Sequence, residues 1–214
     1  MNPEILHRLL TPVDPPQRFY GVAVGLVTNN KDPENLHRVK VRFPWLNAEH
    51  ESYWARVASL MAGKDRGAYF LPEVGDEVLV AFDHGSVDHP YVIGALWNGQ
   101  DSAPESNADG ANDHRTIKSR SGHIVRLNDK NGSETIEVID KTGNNKIIVS
   151  ASNNAITIEA QSDITITSKT GKLTMTAVGV EINSKANVKI EATGNTDVSA
   201  NALVNVKGSL IKLN

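Results

Sequence analysis

The sequence contains seven histidines, the side chains best suited to metal binding or proton transfer near neutral pH, and all of them precede residue 124. The stretch DHGSVDH at 83–89 brings two histidines and two aspartates together, which is a composition that could hold a metal ion. The same residues are typical of a polar loop between two strands, and we favour that interpretation. No G-x-S-x-G, P-loop or H-E-x-x-H motif occurs. We therefore predict no catalytic residues, no cofactor and no metal site.

The overall composition limits the class of protein. The chain has 214 residues, a formal net charge of −3 and no cysteine, so disulfides and thiolate metal sites are excluded. The acidic balance argues against a general nucleic-acid binder. No run approaches the roughly 18 apolar residues of a membrane helix, and the N-terminus lacks the features of a secretory signal. If the protein leaves its cell, we expect it to do so by lysis or as part of a particle.

Two regions of different composition divide the chain. All eleven aromatic residues lie between Phe19 and Trp97, and all nine prolines lie at or before Pro104. Over residues 151–214, Ala, Ser, Thr and Asn make up 30 of 64 residues. A single kind of core would not divide in this way, so the sequence predicts two different architectures.

Five runs in the first region predict β-strands, because apolar and polar residues alternate and turn residues separate the runs. RVKVRF at 38–43 is the clearest case, with Val39, Val41 and Phe43 on one face. Five short strands suit an OB-type barrel, and we expect the aromatic residues to fill its core. The runs cover residues 19–28, 37–43, 52–60, 76–83 and 89–96.

Nucleic-acid binding is an alternative for such a barrel. OB folds often stack single-stranded bases on aromatic residues in a basic groove. Residues 1–123, however, carry 12 Lys and Arg against 16 Asp and Glu. We therefore expect no nucleic-acid partner.

This region resembles the OB domain of contractile-tail spike proteins, the family that includes phage baseplate assembly protein V and the valine-glycine-repeat spikes of type VI secretion. The matching stretches are RVKVRFPW at 38–45, WARV at 54–57, AGKDRGAYFLPEVGDEVLVAF at 62–82 and HPYVIGALWNG at 89–99. SRSGH at 119–123 and DKTGNN at 140–145 resemble the family's lead into its C-terminal shaft. The resemblance implies a homotrimer in which an intertwined β-helix follows the OB domain.

A short sequence pattern repeats after residue 124: an apolar residue, any residue, another apolar residue and then a connecting segment of small polar residues. Successive pairs are 11, 11 and 9 residues apart and then settle near eight. Such repetition indicates a solenoid, in which stacked units bury a face that one unit cannot bury alone. The predicted trimer-core residues are Ile147, Val149, Ile156, Ile158, Ile164, Ile166, Leu173, Met175, Val180, Ile182, Val188, Ile190, Val204 and Val206.

An eight-residue unit is too short for one turn of a single-chain β-helix, so we predict that three chains share each turn. Each chain would place one strand on a face of a triangular prism and then pass to the next face. A narrow aliphatic interior explains the missing aromatic residues, and the ladder hydrogen bonds explain the missing prolines. Roughly eleven stacked strands at about 4.8 Å each give a shaft of about 50 Å. A single-chain β-sandwich is the alternative.

The predicted fold class is all-β, with an N-terminal OB-fold barrel followed by an intertwined triple-stranded, trimeric β-helix. The linker is too short for the lysozyme domain that some phage spikes carry at this place. The hub domain that precedes the barrel in type VI spikes is missing, so we expect the phage arrangement with a separate hub. The predicted segments are a helical docking segment at 1–15, the OB-fold domain at 16–98, a linker at 99–123 and the trimeric β-helix at 124–214.

We therefore predict a structural cell-puncturing spike at the tip of a contractile phage tail or a related injection particle. It would be made in the host cytoplasm, become part of the virion tail baseplate and pierce the target outer membrane mechanically. Its expected partners are two further copies of the chain and the tail hub or tube-end proteins. A β-helical polysaccharide-degrading enzyme is the enzymatic alternative, although the charges over 124–214 are scattered.

The C-terminal residues lack the His-x-His pair that binds iron at the apex of some phage spikes, since the last histidine is His123. An apolar trimer end at Ile211 and Leu213 would invite association. We therefore expect a small tip-capping protein, resembling the proline-alanine-alanine-arginine-repeat family, on residues 203–214. Closure by Lys212 and the C-terminal carboxylates is the alternative. The predicted tip contacts are Leu210, Ile211, Lys212, Leu213 and Asn214.

Overall fold

The computed structural model describes residues 18–46 and 50–212, and these ranges contain twelve β-strands and one 3-10 turn at Asp83–Gly85. Within them the fold is all-β, as the sequence predicts. No helix in this part of the chain has the length and apolar character needed to cross a membrane. The docking helix predicted within residues 1–15 lies outside the described residues.

The first seven strands belong to the barrel domain. They are β1 Val22–Asn29, β2 Lys40–Arg42, β3 Arg56–Val57, β4 Ala62–Gly63, β5 Arg66–Gly67, β6 Glu77–Phe82 and β7 Pro90–Ala95. Five of them form a sheet in the order β2-β1-β6-β7-β3, in which β3 is parallel to β7 and the other neighbours are antiparallel. Val39 and Ala55 exchange backbone hydrogen bonds of 3.0 and 2.7 Å, which close the barrel between the segments that lead into β2 and β3.

Valine fills most of the barrel core. Along β6 the burial alternates, with Val78, Val80 and Phe82 inside. The expectation that aromatic residues fill the core is wrong for most of them, since only Phe43 and Phe82 of the eleven are buried. The interior is too narrow for more, and even a Cβ at Gly25 would collide with the Val41 side chain. The largest fully buried side chains are Val27, Val39, Val41, Val78, Val80 and Val92.

Asp32 organises the loop between β1 and β2, and it is the one buried charged residue in the described part of the chain. Its carboxylate accepts hydrogen bonds from Nε and Nη2 of Arg38, both at 2.8 Å, and from the backbone N–H groups of Glu34 and Leu36. The Arg38 guanidinium holds the pKa of Asp32 well below its usual range. The loop is thereby fixed in a conformation in which His37 has a φ of 58°.

Five further strands form a second sheet. They are β8 His114–Lys118, β9 Ile124–Asn128, β10 Thr135–Ile139, β11 Lys146–Ser150 and β12 Ala155–Glu159. Their order in space equals their order in the chain, and every neighbouring pair is antiparallel. This differs from the expected passage of each unit to the next face of a prism, because these strands turn back within one chain. The loops at 129–134, 140–145 and 151–154 carry the Gly, Asn and Ser residues that favour such reversals.

Strand β8 lies inside the segment that the sequence predicts as a linker. Its five residues, HRTIK, contain a single aliphatic side chain, Ile117, so hydrophobic alternation gives little sign of a strand. Pairing with β9, from His114↔Asn128 to Lys118↔Ile124, makes it the edge of the sheet.

The internal contacts of the chain divide it after Ser162. In the second unit, the described residues 163–212 contain no strand, and all of them are exposed to solvent. The aliphatic pairs of the repeat therefore have no partner strand within one chain over this range.

Candidate assembly surface

Two rows of aliphatic side chains run across one side of the second sheet. The strand registers place the members of each row at one level on neighbouring strands, and residues two apart in a strand share a side. We call these nine residues the aliphatic face. The first row is Ile117, Val125, Val138, Ile147 and Ile158; the second is Leu127, Ile136, Val149 and Ile156, with Arg115 at its β8 end.

The aliphatic face is uncovered in a single chain. The exposed fractions run from 37% for Val149 to 71% for Ile156. Two rows across five strands cover on the order of 300 Å², which is as large as the main apolar patch of a typical monomer and marks an interaction surface. Complete burial of an exposed side chain of this kind contributes about 1.5–3 kcal/mol, and burial of a half-exposed one about half as much, so this surface favours association.

A concavity of about 460 Å³ follows the first row, and its rim is polar. The rim residue His123 accepts a hydrogen bond at Nδ1 from the Lys141 N–H, at 3.2 Å. At the rim residue Asp140, burial raises the pKa, but hydrogen bonds from Thr142 and Asn145 together lower it to about 2. These rim groups hold the loop between β10 and β11 in shape, and the concavity itself is lined by the aliphatic row.

The opposite side of the same sheet is mixed: Ile124, Ile139 and Ile148 are half-buried among charged residues that pair with one another. Arg126 forms ion pairs with Glu105 at 2.7 Å and with Glu137 at 3.3 Å. The Thr116 hydroxyl donates a hydrogen bond of 2.7 Å to Glu105. The hydrogen bonds from Thr116 and then from Arg126 hold the pKa of Glu105 below its usual range. The sheet thus has one half-buried side with paired charges and one uncovered apolar side.

The predicted core residues divide between the two units of the chain. Ile147, Val149, Ile156 and Ile158 lie together in the aliphatic face. Sequence reasoning missed Ile117 as a member, because it is not part of an apolar pair. Ten predicted core residues lie in the second unit, where they are exposed and no strand aligns them: Ile164, Ile166, Leu173, Met175, Val180, Ile182, Val188, Ile190, Val204 and Val206.

The predicted tip contacts lie at the end of the described range. Leu210, Ile211 and Lys212 are exposed. Leu213 and Asn214 lie outside the described residues, so the structure does not test this prediction.

The basic side of β2 is largely neutralised within the chain. Arg38 forms ion pairs with Asp32 and Glu34, and Lys40 Nζ lies 3.0 Å from a carboxylate oxygen of Glu51. A nucleic-acid groove requires positive charge that is free to contact phosphates. The pairing therefore argues against the nucleic-acid alternative.

The DHGSVDH stretch forms the connection between β6 and β7. His84 Nε2 lies 3.8 Å from Asp83 Oδ1, and the His89 ring lies 3.3 Å from the Ser86 hydroxyl. Across residues 18–46 and 50–212, no group of three potential ligands comes close enough to hold a metal ion.

The barrel domain is similar to a domain of known proteins. Residues 23–97 match a family described as the type VI secretion system/phage-baseplate injector OB domain, and this range contains almost the whole of the seven barrel strands. Residues 23–97 are thus similar to the OB domain of contractile-tail spike proteins. Curated members of the spike family extend the similarity beyond the OB domain.

Three of these relatives are type VI secretion system spike proteins. VgrG1a of Pseudomonas aeruginosa is 30% identical in an alignment of 144 residues that covers 60% of this chain and 22% of that protein. VgrG1c of the same organism is 34% identical in an alignment of 111 residues that covers 46% of this chain and 15% of that protein. VgrG3 of Vibrio cholerae is 40% identical in an alignment of 75 residues that covers 33% of this chain and 7% of that protein. The chain thus spans less than a quarter of the length of these relatives.

Proposed function

We propose that the chain is the central spike of a contractile injection particle and that three copies assemble into it. The observation that carries this proposal is the aliphatic face, whose nine side chains are aligned in register and uncovered in one chain. A surface of this kind needs a partner of the same chemistry, and another copy of the chain supplies one.

Three copies fit the pattern better than two. Three sheets can enclose one prism, each turning its aliphatic face inward and its Arg126 side outward to water. The repeat after residue 162 continues the same alternation in steps of about eight residues, and its exposed aliphatic pairs would form an aliphatic interior between the copies in the same way. Backbone groups of strands in 163–212 would find their hydrogen-bond partners in neighbouring copies.

The proposed role is mechanical. Chains that wind around one another over residues 163–212 would resist separation, because they must unwind before they part. Driven by tail contraction, the spike would pierce the outer membrane of the target cell. The barrel, together with residues 1–15, would face the tail and bind the hub or tube-end proteins, and the particle would carry the protein in its baseplate.

The molar mass in solution tests the trimer directly. Light scattering of the purified chain in native buffer should give three times the 23.2 kDa of one copy. A monomer would overturn the proposal, because one chain leaves the aliphatic face in water. Electron microscopy of particles from a spike-deletion strain should show tails without the central tip density, and complementation with the intact chain should restore that density.

A further inference from the structure

A second apolar surface lies on the barrel, far along the chain from the aliphatic face. It consists of residues 58–71, which follow β3 and include the β4–β5 hairpin, and we call it the hairpin surface. Leu60 is 96% exposed and Phe70 is 68% exposed. Together with Leu36 and His37 from the β1–β2 loop, these residues line a concavity of about 650 Å³.

Particular residues hold the β4–β5 hairpin in shape, although it pairs with no other strand. Strands β4 and β5 form a sheet of their own with two residues each, and an isolated hairpin is marginally stable in water. Gly67 has a φ of 154°, and a Cβ there would lie 2.5 Å from the Met61 carbonyl oxygen. The His37 ring contacts the Tyr69 ring edge-on at 5.2 Å. A hairpin held in this way, with its apolar side chains in water, is suited to contact a partner.

The cations of this region lack carboxylate partners. Lys64 and Arg66 lie at the hairpin turn, and Arg56 lies over the ring of Tyr91 at 5.8 Å. Within residues 18–46 and 50–212, no carboxylate lies within ion-pair distance of these three cations. This contrasts with Arg38 on the same barrel, which is paired twice.

An acidic segment leaves the barrel at the same end. Strands β3 and β7 are parallel neighbours, so the chain emerges from both at one end of the barrel, into residues 58–71 and 98–113 respectively. Segment 98–113 contains four acidic residues and no Lys or Arg. Three of the four, Asp101, Asp109 and Asp113, have no ion pair in the described part of the chain.

We propose that the hairpin surface of one copy binds the acidic segment 98–113 of the next copy. This inference rests on the proposed trimer, which brings the three barrels together around one axis. The contact joins two different patches, so repeating it around a threefold axis closes a ring. Lys64, Arg66 and Arg56 would then meet Asp101, Asp109 and Asp113, and the apolar hairpin residues would lose their contact with water.

Engineered cysteines test the contact, because the native chain has none. A variant with both Lys64→Cys and Asp109→Cys, treated with a short bismaleimide, should give covalent dimers and trimers on denaturing electrophoresis. The matched control is Asp88→Cys with Asp109→Cys, because Asp88 lies in the β6–β7 connection at the other end of the barrel. The control should stay monomeric under the same treatment.

Light scattering of the same samples separates this inference from the proposed function. A native trimer whose Lys64→Cys/Asp109→Cys variant forms only monomer bands overturns the hairpin contact and leaves the spike proposal standing. A native monomer overturns both. Cross-linking of the control to the same extent as the test pair would also overturn the contact, since it would show random collision.

Charge reversal gives an independent readout. Lys64→Glu with Arg66→Glu should lower the melting temperature of the trimer by a few degrees at low salt and by less at 1 M NaCl, because salt screens partly exposed ion pairs. Adding Asp109→Lys and Asp113→Lys to the same chain should restore most of the loss. If the quadruple variant did not recover, while the Asp109→Lys/Asp113→Lys double variant alone behaved like the native chain, the proposed pairing would be contradicted.

Discussion

Arg126 on β9 and Glu137 on β10 lie directly opposite each other, and their side chains form an ion pair of 3.3 Å on the side of the sheet away from the aliphatic face. Val125 and Leu127, the neighbours of Arg126, therefore point to the other side. Because the charged groups of that side are paired within one chain, the uncovered aliphatic face is the side left for association. Paired substitutions on the two sides of a strand can test this assignment.

On β12, Ile158→Asp should disrupt association, whereas Thr157→Asp should not. Ile158 belongs to the first aliphatic row, and its neighbour Thr157 points to the other side. In a threefold assembly, Ile158→Asp places three carboxylates in one apolar layer, and each costs several kcal/mol or becomes protonated. We expect the melting temperature to fall by roughly 10 °C or more for Ile158→Asp and by about 2 °C or less for Thr157→Asp. Calorimetry would measure both, and equal values would show that the aliphatic face is not an interface.

In the second unit, Ile164→Asp should destabilise the assembly and Thr165→Asp should be mild. The physical reason is the same alternation, applied to residues that form no strand in the single chain. Light scattering with a thermal ramp would measure the loss of the trimer. If Thr165→Asp were the more harmful change, the inward register of the repeat would be shifted by one residue.

At acidic pH the barrel should lose stability through Asp32. Its pKa is lowered in the folded state, chiefly by Arg38, so its stabilising contribution is present above the unfolded pKa of about 3.9 and declines as the pH falls below that value. Asp32→Asn should lower the melting temperature at pH 7 and flatten its dependence on pH between 4 and 2. Exposed Asp83, changed to Asn, is the control and should leave the profile unchanged. A native profile in the Asp32→Asn variant would show that the Arg38 pairing contributes nothing to stability.

Deletion of residues 1–15 tests the docking end of the spike. We expect the truncated chain to remain a trimer, because the aliphatic face is untouched, and to enter particles less efficiently. Quantitative immunoblotting of purified particles against a tube protein would measure incorporation, with light scattering of the truncated chain as the check on assembly. Normal incorporation would refute the docking role.

The barrel could be predicted from the sequence because its strands alternate cleanly and its turns carry strong signals. The run DEVLVAFD at 76–83 became β6 nearly in full. The side chains that fill the barrel core could not be predicted in the same way. The number of aromatic residues in the sequence does not reveal that the space between Gly25 and Val41 is too narrow for them. The exposed aromatic residues Tyr69 and Phe70 belong to the hairpin surface instead.

The pairing of the second sheet shows a different limit. The spacing of apolar pairs identified which residues share a side, and Ile147 and Ile158 do lie opposite each other. Spacing alone could not say whether the next strand comes from the same chain or from another copy. That choice depends on whether the joint can reverse the chain, and the loops at 129–134 and 140–145 do so.

The repeat beyond residue 162 advances in similar steps of about eight residues, so the register between neighbouring chains is ambiguous. Two chains displaced by one step would bury similar aliphatic pairs, so hydrophobicity alone does not prevent a staggered assembly. The hairpins of the second sheet pair locally through short loops, and we expect such local contacts to form before any partner arrives. In the proposed trimer, the second sheet therefore fixes the residue at which the repeat of each copy begins, so that the three repeats start in the same register. A chain without that fixed start would lengthen into an open, staggered polymer and would not close on three.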